Sequence, residues 1–126
     1  MTSRENNASV LLVDDDKDIC TVMRSGLQRY GFKVTAVDDS YKAIDEFKQR
    51  RYDKIVLDIK MPGLSGFQLA NQIWSLKPDA KVCFFSAFEI DQTEVKTIFK
   101  DLKDVQFIKK PITPNELAKC INEHLR

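Results

Sequence analysis

The stretch Lys54-Ile55-Val56-Leu57-Asp58-Ile59-Lys60-Met61-Pro62-Gly63-Leu64-Ser65-Gly66 decides how this chain is read. Ile55, Val56 and Leu57 form a short apolar run, the pattern of a strand buried on both faces, and Asp58 follows at once, where a doubly wound sheet opens its ligand crevice. Pro62 and Gly63 then stop the strand. A lone Asp at a strand end ordinarily starts a turn. The other strand ends of this chain argue against so small a role.

Upstream, a polar lead of residues 1–8 gives way to the apolar run Val10 to Val13, which ends in Asp14, Asp15 and Asp16. Ile19, Val22, Met23, Leu27 and Tyr30 recur at helical spacing, and Gly31 stands where a left-handed cap is wanted, which predicts a helix from about Asp16 to Tyr30. Lys33 to Val37 is rich in β formers, and Ser40 is positioned to cap a second helix carrying Ala43, Ile44 and Phe47 on one face. Downstream, Ser65 can cap a helix bearing Phe67, Leu69, Ala70, Ile73 and Leu76 that Lys77-Pro78 halts. Val82 to Phe85 makes a fourth strand ending at Ser86. Val95, Ile98, Phe99 and Leu102 mark a fourth helix, from about Asp91 to Lys103. Val105 to Lys109 is the fifth strand. Thr113-Pro114-Asn115-Glu116 has the form of a capping box with proline at the first helical position, opening a last helix with Leu117, Ile121 and Leu125 inward. Five strands alternating with five helices predict an α/β fold: a doubly wound, five-stranded parallel sheet of flavodoxin-like topology, with right-handed crossovers. One domain, residues 9–126, is expected to follow the lead.

Composition narrows the function classes. With 43% hydrophobic residues in 126, the chain can bury a core without staples, and 20 Lys plus Arg against 19 Asp plus Glu leave a formal charge of +1. No global field therefore argues for nucleic acid or an anionic membrane. Cys20, Cys83 and Cys120 are odd in number, lack Cys-x-x-Cys spacing and sit in apolar patterns, which suits buried thiols in a reducing compartment. No run approaches the length of a membrane span, so a cytoplasmic location is expected. His124, the only histidine, and the run Lys48-Gln49-Arg50-Arg51 read as solvated helix ends.

In a parallel sheet the C-terminal strand ends share one edge, so residues just past each apolar run become neighbours. They are Asp14 and Asp15, Asp58, Ser86, and Lys110 before Pro111. Three carboxylates this close repel one another, and a hard divalent cation with oxygen ligands turns that repulsion into binding. Mg²⁺ suits the pocket, because it keeps several waters and needs few carboxylates, whereas Ca²⁺ asks for more oxygens. Around Asp58, Lys110 can neutralise charge and Ser86 can donate to a phosphoryl oxygen. A carboxylate nucleophile there would give an aspartyl phosphate.

Val-Asp-Asp-Asp at 13 to 16, Leu-Asp-Ile-Lys-Met-Pro-Gly at 57 to 63, Ser-Ala at 86 and 87, and Lys-Pro at 110 and 111 together resemble the receiver domain of two-component response regulators, over roughly residues 8 to 126. The resemblance implies that Asp58 is the phosphoacceptor, Asp15 a direct metal ligand, Asp14 one acting largely through water, and Lys60 a ligand through its backbone carbonyl. It makes Ser86 and Phe107 the switch pair, Lys110 the lysine, and the bond before Pro111 commonly cis. Asp16 is read as a helix cap. The implied partners are a sensor histidine kinase or phosphotransfer protein and a downstream output protein or domain. The output face would be helix four, strand five and helix five, which could also serve a homodimer. Lys60 and Phe88, two residues after Asp58 and Ser86, are expected to tune the lifetime of the phosphorylated state.

Three other readings compete. An aspartate-based phosphatase would want a second carboxylate two residues after its nucleophile, where this chain has Lys60. A flavin module needs a hydroxyl-rich or glycine-rich loop after the first strand, where three aspartates would repel phosphate. A receiver that signals by protein contact alone would have no need of the intact acidic site.

Overall fold

A computed structural model describes residues 7–87 and 105–125. Five parallel strands, β1 (Ser9–Val13), β2 (Lys33–Val37), β3 (Lys54–Asp58), β4 (Val82–Ser86) and β5 (Val105–Lys109), form one sheet in the order β2-β1-β3-β4-β5. The strand just before Asp58 thus lies at the centre, with Leu57 paired to Val13 on one side and to Phe84 on the other. Every residue of β3 and β4 is buried, as their unbroken apolar runs require.

Alternate residues feed two cores, because successive side chains point to opposite faces. Leu11, Val13, Ile55, Leu57, Val82 and Phe84 pack with α2 (Ser40–Gln49) and α3 (Gly66–Leu76). Val10, Leu12, Val56, Cys83 and Phe85 pack with α1 (Lys17–Gln28) and the C-terminal helix (Pro114–Leu125). Full burial of each such side chain contributes about 1.5–3 kcal/mol. Where α1 crosses the C-terminal helix, a Cβ on Gly26 would collide with the Pro114 ring, so only glycine permits that approach.

Most expected boundaries hold, and the exceptions have local causes. The first helix ends at Gln28, not Tyr30, since Tyr30 N and Gly31 N donate to Leu27 O and Gln28 O in tight i to i−3 turns before Gly31 adopts φ 89°. Asp16 caps α1 as expected, accepting from Asp18 N and Ile19 N. The second helix is capped by Asp39, which accepts from Tyr41 N at 2.8 Å and Lys42 N at 3.0 Å; the expectation that Ser40 is the cap is corrected. Ser65 caps α3 as expected, with Gln68 completing a capping box, and the expected box of Thr113 with Glu116 forms. The expected fourth helix, and Phe88, lie outside the described residues. His124 is half-buried instead of solvated; Lys81 Nζ donates to its carbonyl at 3.0 Å, and its Nδ1 is buried without a hydrogen-bond partner among the described residues. Cys20 and Cys83 are buried thiols as expected, and Cys120 is half-buried. No helix among the described residues is long and apolar enough to cross a membrane.

Candidate functional site

The site forms because three neighbouring strands end together. Sheet order brings β1, β3 and β4 side by side, and the chain leaves each of them at the same edge, delivering Asp14 and Asp15, Asp58, and Ser86. Ligand oxygens of Asp14, Asp15 and Asp58 all lie within 4.8 Å of one another. Asp14 is 1% exposed and Asp58 7%, while Asp15 opens to solvent. Lys110, just past β5, reaches back over this edge, and its Nζ donates to Asp14 Oδ2 at 2.6 Å and Asp58 Oδ1 at 3.4 Å. The same ammonium stands 4.5 Å from the Phe85 ring centroid. Lys109 points outward and is exposed, so the lysine directly before the proline is the one that serves the site. The Lys110-Pro111 bond is cis.

The hydrogen bonds leave the two buried carboxylates unequal. Asp14 is committed on both oxygens, with Oδ1 accepting from Asp16 N at 2.9 Å and Oδ2 from Lys110. Asp58 is committed on Oδ1, which accepts from Ile59 N at 3.0 Å and from Lys110, while Oδ2 has no hydrogen bond among the described residues. Burial pushes the Asp58 carboxyl up to about 6, with the Asp14 charge adding to the rise and Lys110 opposing it. For Lys110 burial works against the charged form, but its bonds and charge contacts with Asp14 and then Asp58 prevail and raise it. Three carboxylates facing one ammonium make an all-oxygen donor set with excess negative charge. That set fits a hard divalent cation.

Ser86 is 1% exposed at the end of β4, where its carbonyl accepts from Lys110 N at 2.8 Å. Phe107 is half-buried on β5 and stacks on Phe84, centroids 5.4 Å apart and planes 24° from parallel; Phe84 in turn meets Phe67 and Trp74 edge-on. Lys60 is exposed on the loop that follows Asp58. That loop closes through Gly66 N donating to Ile59 O at 2.7 Å, and a Cβ on Gly66 would collide with the Asp58 carbonyl oxygen. Gly66 is therefore a site-forming residue that sequence reasoning passed over, although a glycine directly after a cap residue, where a better helix former would serve, was its signal.

Fold and site define a flavodoxin-like α/β domain with an acidic crevice and an opposed lysine at its strand ends. Residues 10–122 match the family model of the response regulator receiver domain, and the chain belongs to that family. It is similar to the transcriptional regulatory protein YvrH of Bacillus subtilis, 34% identical over 121 residues, which are 95% of this chain and 50% of that protein. PrrA of Mycobacterium leprae is 31% identical over 126 residues, all of this chain and 53% of that protein. The chain thus spans about half the length of these relatives. Among solved structures, the receiver domain of the Francisella response regulator 1452 aligns with a TM-score of 0.82 and 27% identity, over 94% of this chain and 97% of that one. TrrA of Thermotoga maritima, in complex with Mg²⁺ and BeF, aligns with a TM-score of 0.80 and 26% identity, over 93% and 98%.

Proposed function

We propose that this chain is a phosphorylation-dependent switch in which Asp58 accepts a phosphoryl group from a sensor histidine kinase, a phosphotransfer protein or a small phosphodonor. The observation that carries the reading is the convergence of Asp14, Asp15 and Asp58 within 4.8 Å under the Lys110 ammonium. Asp58 Oδ2 is the attacking oxygen, since Oδ1 is held by Ile59 N and Lys110. It forms the new bond to phosphorus, the bond from phosphorus to the donor breaks, and the donor leaves with that electron pair. Lys110 offsets charge gathering on the phosphoryl oxygens, and the Ser86 hydroxyl donates to one of them. Asp14, Asp15, Asp58 and the Lys60 carbonyl would hold Mg²⁺, which when bound neutralises carboxylate and phosphoryl charge together. The chemistry is confined to loading and unloading Asp58, so the chain is a regulator and not an enzyme acting on other substrates.

Phosphoryl charge drawing Ser86 inward would vacate space for Phe107, whose ring stacks on Phe84 and carries no hydroxyl to satisfy. That carries the signal to the β5 face and the C-terminal helix, for an output domain or protein or a second copy. The similarity to transcriptional regulators twice this chain's length supports an output in gene control, in the cytoplasm.

Acetyl phosphate with Mg²⁺ is expected to add one phosphoryl mass to the protein, and Asp58→Asn to abolish the addition. Intact mass spectrometry reads both. Undiminished labelling of Asp58→Asn, or labelling that persists in excess EDTA, would overturn the acceptor and the metal assignments respectively.

A further inference from the structure

Ser40 is 1% exposed, although it stands at the first position of α2, where a serine usually faces solvent. Its hydroxyl does no capping, since Asp39 does that. It is turned toward the loop after Asp58 instead, accepting from Leu64 N at 3.0 Å and donating to Pro62 O at 3.4 Å. Next to it the Tyr41 ring lies against Gly63, where φ is +79° and a Cβ would come within 2.8 Å of the ring. The other end of the loop is pinned by Gly66 N on Ile59 O and by Ile59 N on Asp58 Oδ1. Lys60 lies between the two anchors. A backbone carbonyl has no rotamer with which to seek a cation, so its position is set by whatever holds the loop on either side.

We propose that Ser40 is a positioning residue: acting through its two hydrogen bonds to the loop at Pro62 and Leu64, it sets the Lys60 carbonyl for the divalent cation, and so sets metal affinity and loading of Asp58. This rests on the reading of the crevice as a Mg²⁺-dependent phosphoacceptor. The hydroxyl bonds to the loop backbone and not to Asp14, Asp15 or Asp58, so its loss should weaken binding without abolishing it.

The test is Mg²⁺ titration calorimetry on the intact chain, beside loading rates with acetyl phosphate at limiting and at saturating Mg²⁺. Ser40→Ala is expected to weaken Mg²⁺ binding by about three- to tenfold, the worth of one or two hydrogen bonds. Its loading rate should fall at limiting Mg²⁺ and return to within about twofold of wild type at saturation. Gly63→Ala strains the same loop from its other side and should weaken binding in the same direction, carrying the test if Ser40→Ala does not fold. Unchanged affinity in folded Ser40→Ala, or a rate depressed equally at both Mg²⁺ levels, overturns the proposal and leaves the site reading intact. A wild-type protein that binds no Mg²⁺ overturns the site reading and the proposal with it.

Discussion

Two lysines are drawn into this sheet from opposite ends, and they do different work. Lys54, at the start of β3, is fully buried, and its Nζ donates to Gln106 Oε1 at 3.0 Å; the Gln106 amide donates in turn to the Cys120 carbonyl at 3.2 Å. This chain of bonds ties the central strand, β5 and the C-terminal helix together. Lys110, at the opposite edge, is held between two carboxylates at 2.6 and 3.4 Å with a third close by, so negative charge outnumbers it. Where polar groups close on one another a residue braces the fold. Where negative charge is left over, as at Asp14, Asp15 and Asp58, the site fits a cation that would balance it.

Exchanging the insults sharpens that contrast most. Lys110→Met should lower the loading rate of Asp58 by about 100-fold or more, the scale of removing one charge-stabilising donor, with a small change in melting midpoint in Mg²⁺. Lys54→Ala should do the reverse: about 2–4 kcal/mol of unfolding free energy lost to the cavity and the stranded Gln106 oxygen, with loading per folded molecule within about twofold of wild type. Denaturant titration and mass-resolved loading kinetics read the two axes. If both variants lose chiefly stability, the two lysines are not different in kind.

A pH experiment addresses the strain at the acidic edge. The folded Asp58 carboxyl titrates near 6, above its unfolded value near 4. Its contribution to stability is therefore fully present below about pH 4 and lost as pH rises through 6. Asp58→Asn removes that loss, so in EDTA it should be more stable than wild type at pH 7.5, by on the order of 2 kcal/mol at most, with the gain fading to nothing by about pH 4. Melting curves across that range decide it. A difference independent of pH would mean that burial and Asp14 do not penalise the Asp58 charge.

The smallest effect concerns the lifetime of the loaded state. We propose that Lys60, exposed on the loop after Asp58, and Phe88, which lies outside the described residues, slow loss of the phosphoryl group, because neither a cation nor an apolar side chain can accept a proton from water. Lys60→Asn combined with Phe88→Glu should then shed phosphate several-fold faster after donor removal, as followed by intact mass. Equal decay would show that these side chains do not govern that loss.

Strand runs, the stripes of the described helices, the parallel sheet and the gathering of Asp14, Asp15, Asp58, Ser86 and Lys110 at one edge were legible in one dimension. Periodicity is a local property, and a parallel sheet gathers strand ends by topology alone, so the order of the runs is enough to assemble the crevice. What only the tertiary structure decided were choices between chemically equivalent local solutions. Asp39 and Ser40 are both cap formers one residue apart, and the packing of α2 against the loop after Asp58 assigned the cap to one and the loop to the other. Lys54 opens β3, and its bond to Gln106, which bonds in turn to the C-terminal helix, goes with its being among the largest fully buried side chains of the described residues. His124 is half-buried, and Lys81, 43 residues away in sequence, donates to its backbone carbonyl. Gly66 had to be glycine because a helix begins directly on the Asp58 carbonyl. Pattern follows from each residue's own chemistry and spacing; burial and partnership depend on which distant segment arrives against it, and that is set only when the whole core packs.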